Sequence, residues 1–490
     1  MQNKAAAIII RAGVFLLPAL LLIPGIIWAV HYFAPFRIDH IQLAPVPDNR
    51  LRMVLEVETN KSCDAVIAYW LPGSGDTLYS TVSRGKSYHA ICLTNLQGPR
   101  TYQFRVLAYP SGIPVATSLV HSFSTGPIYQ ATPYFSLDTL DASVKKEMKD
   151  TYFLTQILTE PGSAVIFNYQ GDIVWYAPFN KGIKVSHWTK DKTVLCIAGA
   201  ASIPFSGGDE IIEMDLTGKM VTDLITGKGE MDKLVHHEVR KDSIGNIYAL
   251  TFDKRLFDLT SSGDIGNARS PGHPPKAASG KDTVSGDGIV LFSKTGHKLW
   301  EWSVFDHLDP RQDTAIMRKK KDWLHANALY RDKDGNFLIS FRNLNQVWKV
   351  EYGTGRVLWK LGQGGDYRMA DSDLFSGQHA VHMDADKELL VLDNGVKKGL
   401  TRALSFRLDT VNRVARSHID VTLPKDYFNT SKGSVQLLDG NKLLFSLTDP
   451  RLFLLTDLQG KTLWKVDVGG DPYRIEAISD FLNARPSYKL

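Results

Sequence analysis

The pattern of hydrophobic and polar positions changes twice along the chain. From Ala12 to Val30 no charged side chain interrupts a run dominated by Leu, Ile, Val and Ala. At about 1.5 Å per helical residue, such a run nearly matches a ~30 Å hydrocarbon core and predicts a transmembrane helix. From residue 38 to about 125 the pattern turns to short alternating strands, such as Leu55-Glu56-Val57-Glu58, Ala65-Val66-Ile67-Ala68-Tyr69 and Tyr102-Gln103-Phe104-Arg105-Val106. The stretch Leu96 to Tyr102 is like the approach to a tyrosine corner, so this part is predicted to be a fibronectin-III/Ig-like β-sandwich with a spacer or docking role. Asp141 to Gln156 is predicted as a helix within a linker.

Beyond the linker the chain is strands and turns, and it repeats. The unit is a turn closing on an aromatic strand: Gln170-Gly171-Asp172-Ile173-Val174-Trp175, then turns at Gly218, Gly296 (with Trp300), Gly355 (with Trp359) and Gly460 (with Trp464), and a degenerate copy at Val411 to Ala415. Most copies lie about 45–60 residues apart, the length of a four-stranded propeller blade, so six blades are expected. The wide gap between Gly218 and Gly296 holds a polar insertion, about Asp258 to Gly288, expected as a long loop on one face. The predicted organisation is therefore all-β: residues 1–37 a cytoplasmic tip and anchor, 38–126 the sandwich, 127–156 the linker with its helix, and 157–490 a six-bladed β-propeller.

A second repeated turn allows the blades to be aligned. Asp242 to Asn246, Asp332 to Asn336, Asp384 to Glu388 and Leu438 to Asn441 each precede an apolar strand and are expected to join the first two strands of a blade. Superposing them brings His237, Asn327, His379 and Lys432 to one equivalent position, with His325 two residues earlier and on the same face of its strand. The innermost strands line the channel, so equivalent positions near their starts form a ring about the axis. Each histidine alone is more readily a satisfied structural residue, but three in register with Asn327 mark a site. His236 precedes His237 and, as its strand neighbour, is expected to point away. Arg342, at the end of Phe337 to Phe341, is placed to return its guanidinium toward the same mouth, where it could hold an anion, or to form an inter-blade salt bridge.

Composition adjusts this picture only slightly. Over 490 residues the hydrophobic fraction is 43%, the charged fraction 22% and the net charge +5, ordinary for a globular protein. The one dense basic run, Arg318 to Lys321, reads as a solvated loop, and no basic face interleaved with aromatics suggests nucleic acid. Lys4 and Arg11 precede the apolar run, placing the N-terminus in the cytoplasm and the rest outside. A cleaved signal peptide is the alternative, but no A-x-A-type site follows, and an uncleaved anchor is expected. Cys63, Cys92 and Cys196 are too few for a disulfide framework and read as buried thiols, with a Cys63–Cys92 bridge left open.

Imidazoles beside an Arg and a Lys suit transfer of an anionic group, one as nucleophile and another as proton carrier, with cations stabilising the charge. No phosphate-binding G-x-x-x-x-G-K-[ST], G-x-S-x-G or H-E-x-x-H motif is present, and no cofactor or metal is expected. The segments Val235-His236-His237-Glu238, Asp322-Trp323-Leu324-His325-Ala326-Asn327, Ile339-Ser340-Phe341-Arg342, Gln378-His379-Ala380 and Leu392-Asp393-Asn394-Gly395 resemble the bacterial arylsulfate sulfotransferase family over about residues 150 to 485. The resemblance implies a six-bladed propeller that moves a sulfuryl group from an aryl sulfate donor to a phenolic acceptor through a sulfohistidine, without a nucleotide donor. It implies His379 as nucleophile, His325 and Arg342 as groups that bind and polarise the sulfate, His237 as acid/base and Asn327 as an orienting group. Lys432 comes from the register alone. The expected partners are donor, acceptor and membrane, with a homodimer left open, and the expected place is the bacterial inner membrane with the bulk of the chain outside the cytoplasm. Two alternatives are a non-enzymatic envelope propeller that binds ligands or proteins, and a metal site on the three histidines.

Overall fold

The structure, a computed structural model, describes residues 34–483 apart from 48, 112–114, 129–133, 260–280 and 385. The apolar run expected to span a membrane lies outside the described residues, and among the described residues no helix is long and apolar enough to cross one.

Residues from Ile38 to Ser124 form one hydrogen-bonded set of strands with two groupings. The first half of the long strand Met53–Trp70 pairs with Ile38–Pro45 and Ser83–Leu93. Its second half pairs with Leu78–Tyr79 and Thr101–Tyr109. Burial alternates along Thr101–Tyr109, as it does when only one face meets a core. The Tyr102 hydroxyl accepts a hydrogen bond from the Gln97 N–H at 2.9 Å, reaching back to backbone just upstream. This part touches the propeller through Asn49 and Arg52, whose side chains donate to the Tyr176 carbonyl at 2.9 and 3.2 Å, with Arg52 also lying over the Trp175 ring.

The remaining strands form six antiparallel sheets, the blades of a propeller. The inner strands, in blade order, are Pro472–Ile478, Gly182–Trp188, Val235–Lys241, Ala326–Arg331, His379–Met383 and Ser434–Leu438. The ring closes in two places. The C-terminal strand Pro472–Ile478 supplies the inner strand of the first blade by pairing with Tyr152–Ile157, and Phe135–Leu140 adds an outer strand to the sixth. Central strands such as Thr193–Gly199, Phe337–Phe341 and Leu389–Asp393 are buried throughout because neighbouring blades cover both faces. Two of the repeated tryptophans bridge blades: the indole N–H of Trp175 and Trp464 donates to a carbonyl in the next blade, of Leu216 and Tyr169, as does that of Trp302, two residues past the motif's Trp300, to Gly355.

Two expectations are corrected here. The helix expected over Asp141 to Gln156 is the single turn Lys145–Met148, and Tyr152–Ile157 is a propeller strand. Its Tyr152, Phe153 and Leu154 side chains are buried between blades, and that packing overrides the local helical pattern. The insertion after Asp258 is not simply a loop. Ile247–Asp258 pairs with Lys281–Phe292 along its whole length, so the third blade extends outward as a long hairpin.

Candidate active site

The starts of the inner strands in blades three to six carry residues with left-handed backbone: His237 (φ 54°), His325 (φ 55°), Ala380 (φ 54°) and Lys432 (φ 61°). Such conformations cost about 1–3 kcal/mol each at non-glycine positions and cluster where a fold turns side chains to a common point. Strand register breaks at the same places, between His236 and Val239, Ala326 and Ala328, and His379 and His382. These bulges re-aim side chains into the channel.

His379 is buried, and its partners fix its tautomer. Nδ1 faces two acceptors, the Asn394 Oδ1 at 2.7 Å and the Gly377 carbonyl at 3.0 Å, so Nδ1 carries the hydrogen. Nε2 accepts the backbone N–H of Lys432 at 3.2 Å and is therefore the lone-pair nitrogen. The Asn394 amide cannot turn over, because its Nδ2 donates to the carbonyls of Asn429 and Lys432 at 2.9 and 3.0 Å. Burial holds His379 well below the ordinary imidazole range; Asn394 opposes this, while His325, Arg342 and Arg474 add to it. The imidazole is thus neutral near neutral pH with one nitrogen available for attack.

His237 and His325 stand together, ring centroids 4.8 Å apart and tilted edge to face. His325 Nδ1 meets the Asp322 carboxylate at 2.5 Å. His237 is almost completely buried and, chiefly through that burial, also held well below its ordinary value, with His325, His236, His379 and Arg474 contributing. Arg342 is half-buried and its guanidinium donates to the Thr430 carbonyl at 3.5 Å, beside the loop that carries Lys432. Asn327 is fully buried; its amide N–H donates to the Gln378 carbonyl at 2.8 Å, tying the fourth blade to the residue before His379.

The predicted residues therefore gather at one mouth, with two differences of detail. Lys432 meets His379 through its backbone N–H, whereas the register had suggested its side chain. His236 does not point away from its neighbour. The left-handed turn at His237 brings the two rings to one side, Nδ1 to Nδ1 at 2.9 Å.

Several residues escaped the sequence reading. Arg474, from the C-terminal closing strand, is buried in the channel and donates to the carbonyls of Asn327 at 2.9 Å and His237 at 3.3 Å. Its charge is met by Glu238, which also contacts His187 at 2.6 Å and Arg240 at 3.3 Å. Phe205 stands edge-on to the His325 ring at 6.3 Å and is partly exposed. Asp322 lies within the Asp-Trp-Leu-His segment, and Asn394 within Leu-Asp-Asn-Gly, so both had a local signal. Arg474 and Phe205 had none, being far in sequence from the histidines they touch. Among the described residues no group of three or more His, Cys, Asp or Glu side chains could hold a metal ion. Cys63, Cys92 and Cys196 are free thiols.

Among solved structures, a Bacteroides caccae protein of unknown function is similar at 13% identity and a TM-score of 0.41, over 67% of this chain and 98% of that one. A virginiamycin B lyase from Staphylococcus aureus gives 9% and 0.36 over 67% and 87%, and a chain of a nidogen/laminin complex gives 12% and 0.38 over 67% and 98%. No curated protein sequence matches. Residues 268–425, which carry His325, Asn327, Arg342 and His379, match the family model described as Arylsulfotransferase (ASST), the family that the motifs of this chain resemble.

Proposed function

We propose that this protein transfers a sulfuryl group from an aryl sulfate to a phenol through a covalent adduct on His379. The family match supports aryl sulfotransferase activity in broad terms and does not favour a non-enzymatic scaffold. The observation that carries the finer reading is the fixed tautomer of His379: Nδ1–H held by Asn394 and Gly377, and Nε2 bearing the lone pair beside the Lys432 N–H.

In the first half-reaction Nε2 attacks sulfur, the S–O bond to the aryl oxygen breaks, and the phenolic oxygen takes up a proton from the His237 side of the pocket. In the second, an acceptor phenol returns a proton there as its oxygen attacks sulfur and His379 leaves. Arg342 and His325 lie where cationic and N–H donors would meet the sulfuryl oxygens, and charge stabilisation of this kind is a large share of group-transfer catalysis. The Lys432 N–H, already directed at Nε2, is positioned to meet a sulfuryl oxygen once the N–S bond forms. Asn327 keeps the backbone before His379 in place. Phe205 offers an aromatic face at the rim for an aryl ring.

The chain is further proposed to be tethered to the bacterial inner membrane by its apolar run from Ala12 to Val30. Residues 38–126 would then be a fibronectin-III-like sandwich that lifts the propeller from the bilayer, a reading supported by the two strand groupings and the Tyr102 to Gln97 bond. The propeller domain would carry the chemistry.

The test is incubation of the full chain with p-nitrophenyl sulfate and a phenol acceptor. Nitrophenol release, transfer of sulfuryl to the acceptor, and a sulfuryl mass adduct that disappears in His379→Ala are expected. Undiminished turnover in His379→Ala would overturn the mechanism.

A further inference from the structure

Behind His237 lies a line of buried groups that the transfer itself does not use. His236 Nδ1 faces His237 Nδ1 at 2.9 Å, and on its far side His236 Nε2 lies 3.5 Å from the Asp287 carboxylate. The bulge at His237 aligns the two imidazoles, and cross-strand pairing sets the carboxylate: Asp287 sits opposite Phe252, on whose ring His236 stacks at 4.3 Å. All three side chains are almost completely buried. The Asp287 Oδ1 accepts the Ala326 N–H at 3.1 Å, while Asp287 Oδ2 and His236 Nε2 make no hydrogen bond of good geometry among the described residues. The 3.5 Å approach is to Asp287 Oδ1, and a proton shared across it, or a carboxyl turned to bring Oδ2 toward Nε2, would relieve the cost of two unpartnered polar atoms this deep.

Resting on the transferase reading above, we propose that Asp287, acting through His236 and His237, stores the proton that is exchanged between the two half-reactions. The line has two protonation patterns that differ by one proton and leave both imidazoles neutral. In the loaded pattern Asp287 is a carboxylic acid donating to His236 Nε2, His236 Nδ1–H donates to His237 Nδ1, and His237 Nε2–H faces the pocket. When the aryl oxygen leaves sulfur it takes the His237 Nε2 proton. The His236 Nδ1 proton passes to His237 Nδ1, the Asp287 proton passes to His236 Nε2, and Asp287 ends as a carboxylate. The acceptor phenol gives its proton to His237 Nε2, and each shift runs in reverse.

The surroundings favour charge on neither ring. Burial pushes His236 down to about 4, with the Thr251 backbone and Asp322 opposing and His325 adding to the shift. Burial pushes Asp287 up to about 8, with the Ala326 N–H opposing and Asp322 adding to the rise. Arg474, His325 and His379 face His237 and disfavour an imidazolium there. A proton arriving at His237 is therefore better held at the carboxyl end. Asp287 and His236 are positioning residues for the proton and touch neither substrate.

The test compares two donors in Asp287→Asn, with His236→Phe, which keeps the packing on Phe252, as the second variant. Phenyl sulfate leaves as a strongly basic phenolate and needs the stored proton, whereas p-nitrophenyl sulfate leaves as a weak base and does not. A roughly hundredfold loss of the sulfuryl-uptake rate with phenyl sulfate, the size of a general-acid contribution, and a change of a few-fold or less with p-nitrophenyl sulfate are expected in either variant that folds. Equal losses on both donors, or no loss on either, would overturn the relay. Failure of the wild-type enzyme to form a histidine adduct would instead overturn the transferase reading on which the relay rests.

Discussion

His379 and Asn394 meet through an Nδ1···Oδ1 hydrogen bond of 2.7 Å, so the imidazole proposed to carry the sulfuryl group is oriented by a neutral amide. His325, a ring that would only bind the sulfate, has a carboxylate, Asp322, in the corresponding role. The contrast has a chemical consequence. Sulfur on Nε2 makes His379 an imidazolium, and a neutral partner orients that ring without neutralising its charge. The adduct therefore stays a good sulfuryl donor.

Substituting Asn394 separates orientation from charge. Asn394→Ala frees the ring and loses the bonds to Asn429 and Lys432, and turnover should fall roughly tenfold to a hundredfold, as for other partners that orient a reacting histidine. Asn394→Asp retains an acceptor but adds a negative charge beside Nδ1. The adduct should then accumulate in intact-mass spectra while transfer to phenol slows. Faster turnover of the acceptor step in Asn394→Asp would contradict this account.

The buried histidines give stability a definite pH dependence. His236 and His382 are each lowered by burial from 6.5 to about 4 in the fold. Between those values the unfolded chain binds more protons than the folded one, so stability rises with pH and is lost as pH falls from about 6.5 toward 4. Each fully shifted histidine contributes on the order of 1 kcal/mol per pH unit over that window. Asp287, raised by burial to about 8, acts oppositely and favours the fold at lower pH, as do the raised carboxyls of Asp384 and Asp393, but the lowered histidines His236, His237, His379 and His382 outnumber them. Denaturant unfolding from pH 4.5 to 7 should show rising stability, and His382→Gln, in a ring outside the proposed reaction, should flatten the slope. An unchanged slope in that variant would remove His382 from the account.

Much of this architecture can be read in the sequence, for physical reasons. Every blade needs its hairpins, and some are joined by an indole that reaches the next blade, so Gly171, Trp175 and Trp464 stand out at readable spacing. The hairpin register also brought His237, Asn327, His379 and Lys432 to one mouth. Period-two reasoning failed at His236 because a left-handed residue cancels the alternation, and φ at His237 depends on tertiary packing that no local pattern shows. Arg474 was invisible because it reaches the site only when the C-terminal strand closes the ring. Asp287 was hidden at the end of a polar insertion that reads as loop, although its last residues, from Lys281, fold as strand.

Arg474 and Glu238 form a buried ion pair that also braces the carbonyls of His237 and Asn327. Burial raises Glu238, but Arg474, Arg240 and His187 more than offset it, so the carboxylate is ionised in the fold. Arg474→Met would leave that charge short of its main partner and should destabilise the protein by about 3 kcal/mol in thermal or denaturant unfolding. The double variant Arg474→Met/Glu238→Gln should regain most of the stability but not full activity, because the two carbonyls lose their shared donor. Recovery of both would make Arg474 purely structural.

Phe205 tests how the rim selects aryl substrates. Phe205 is 38% exposed and stands beside the His325 ring. It is held in place by left-handed backbone at Phe205 and Ser206, and the Ser206 carbonyl accepts the His237 N–H at 3.3 Å. The ring thus stands over the mouth on the same short segment that braces the proposed proton carrier. An aryl ring stacked on it would gain about 0.5–1.5 kcal/mol, so Phe205→Ala should raise KM for aryl sulfates by roughly tenfold or less. A stacked aryl ring keeps that contact in ground state and transition state alike, so both should weaken together, leaving kcat nearly unchanged. Phe205→Leu should recover little, since a branched alkyl group offers area but no aromatic face. A fall in kcat with unchanged KM in Phe205→Ala would assign Phe205 to bracing His237 through Ser206 instead of holding the aryl ring.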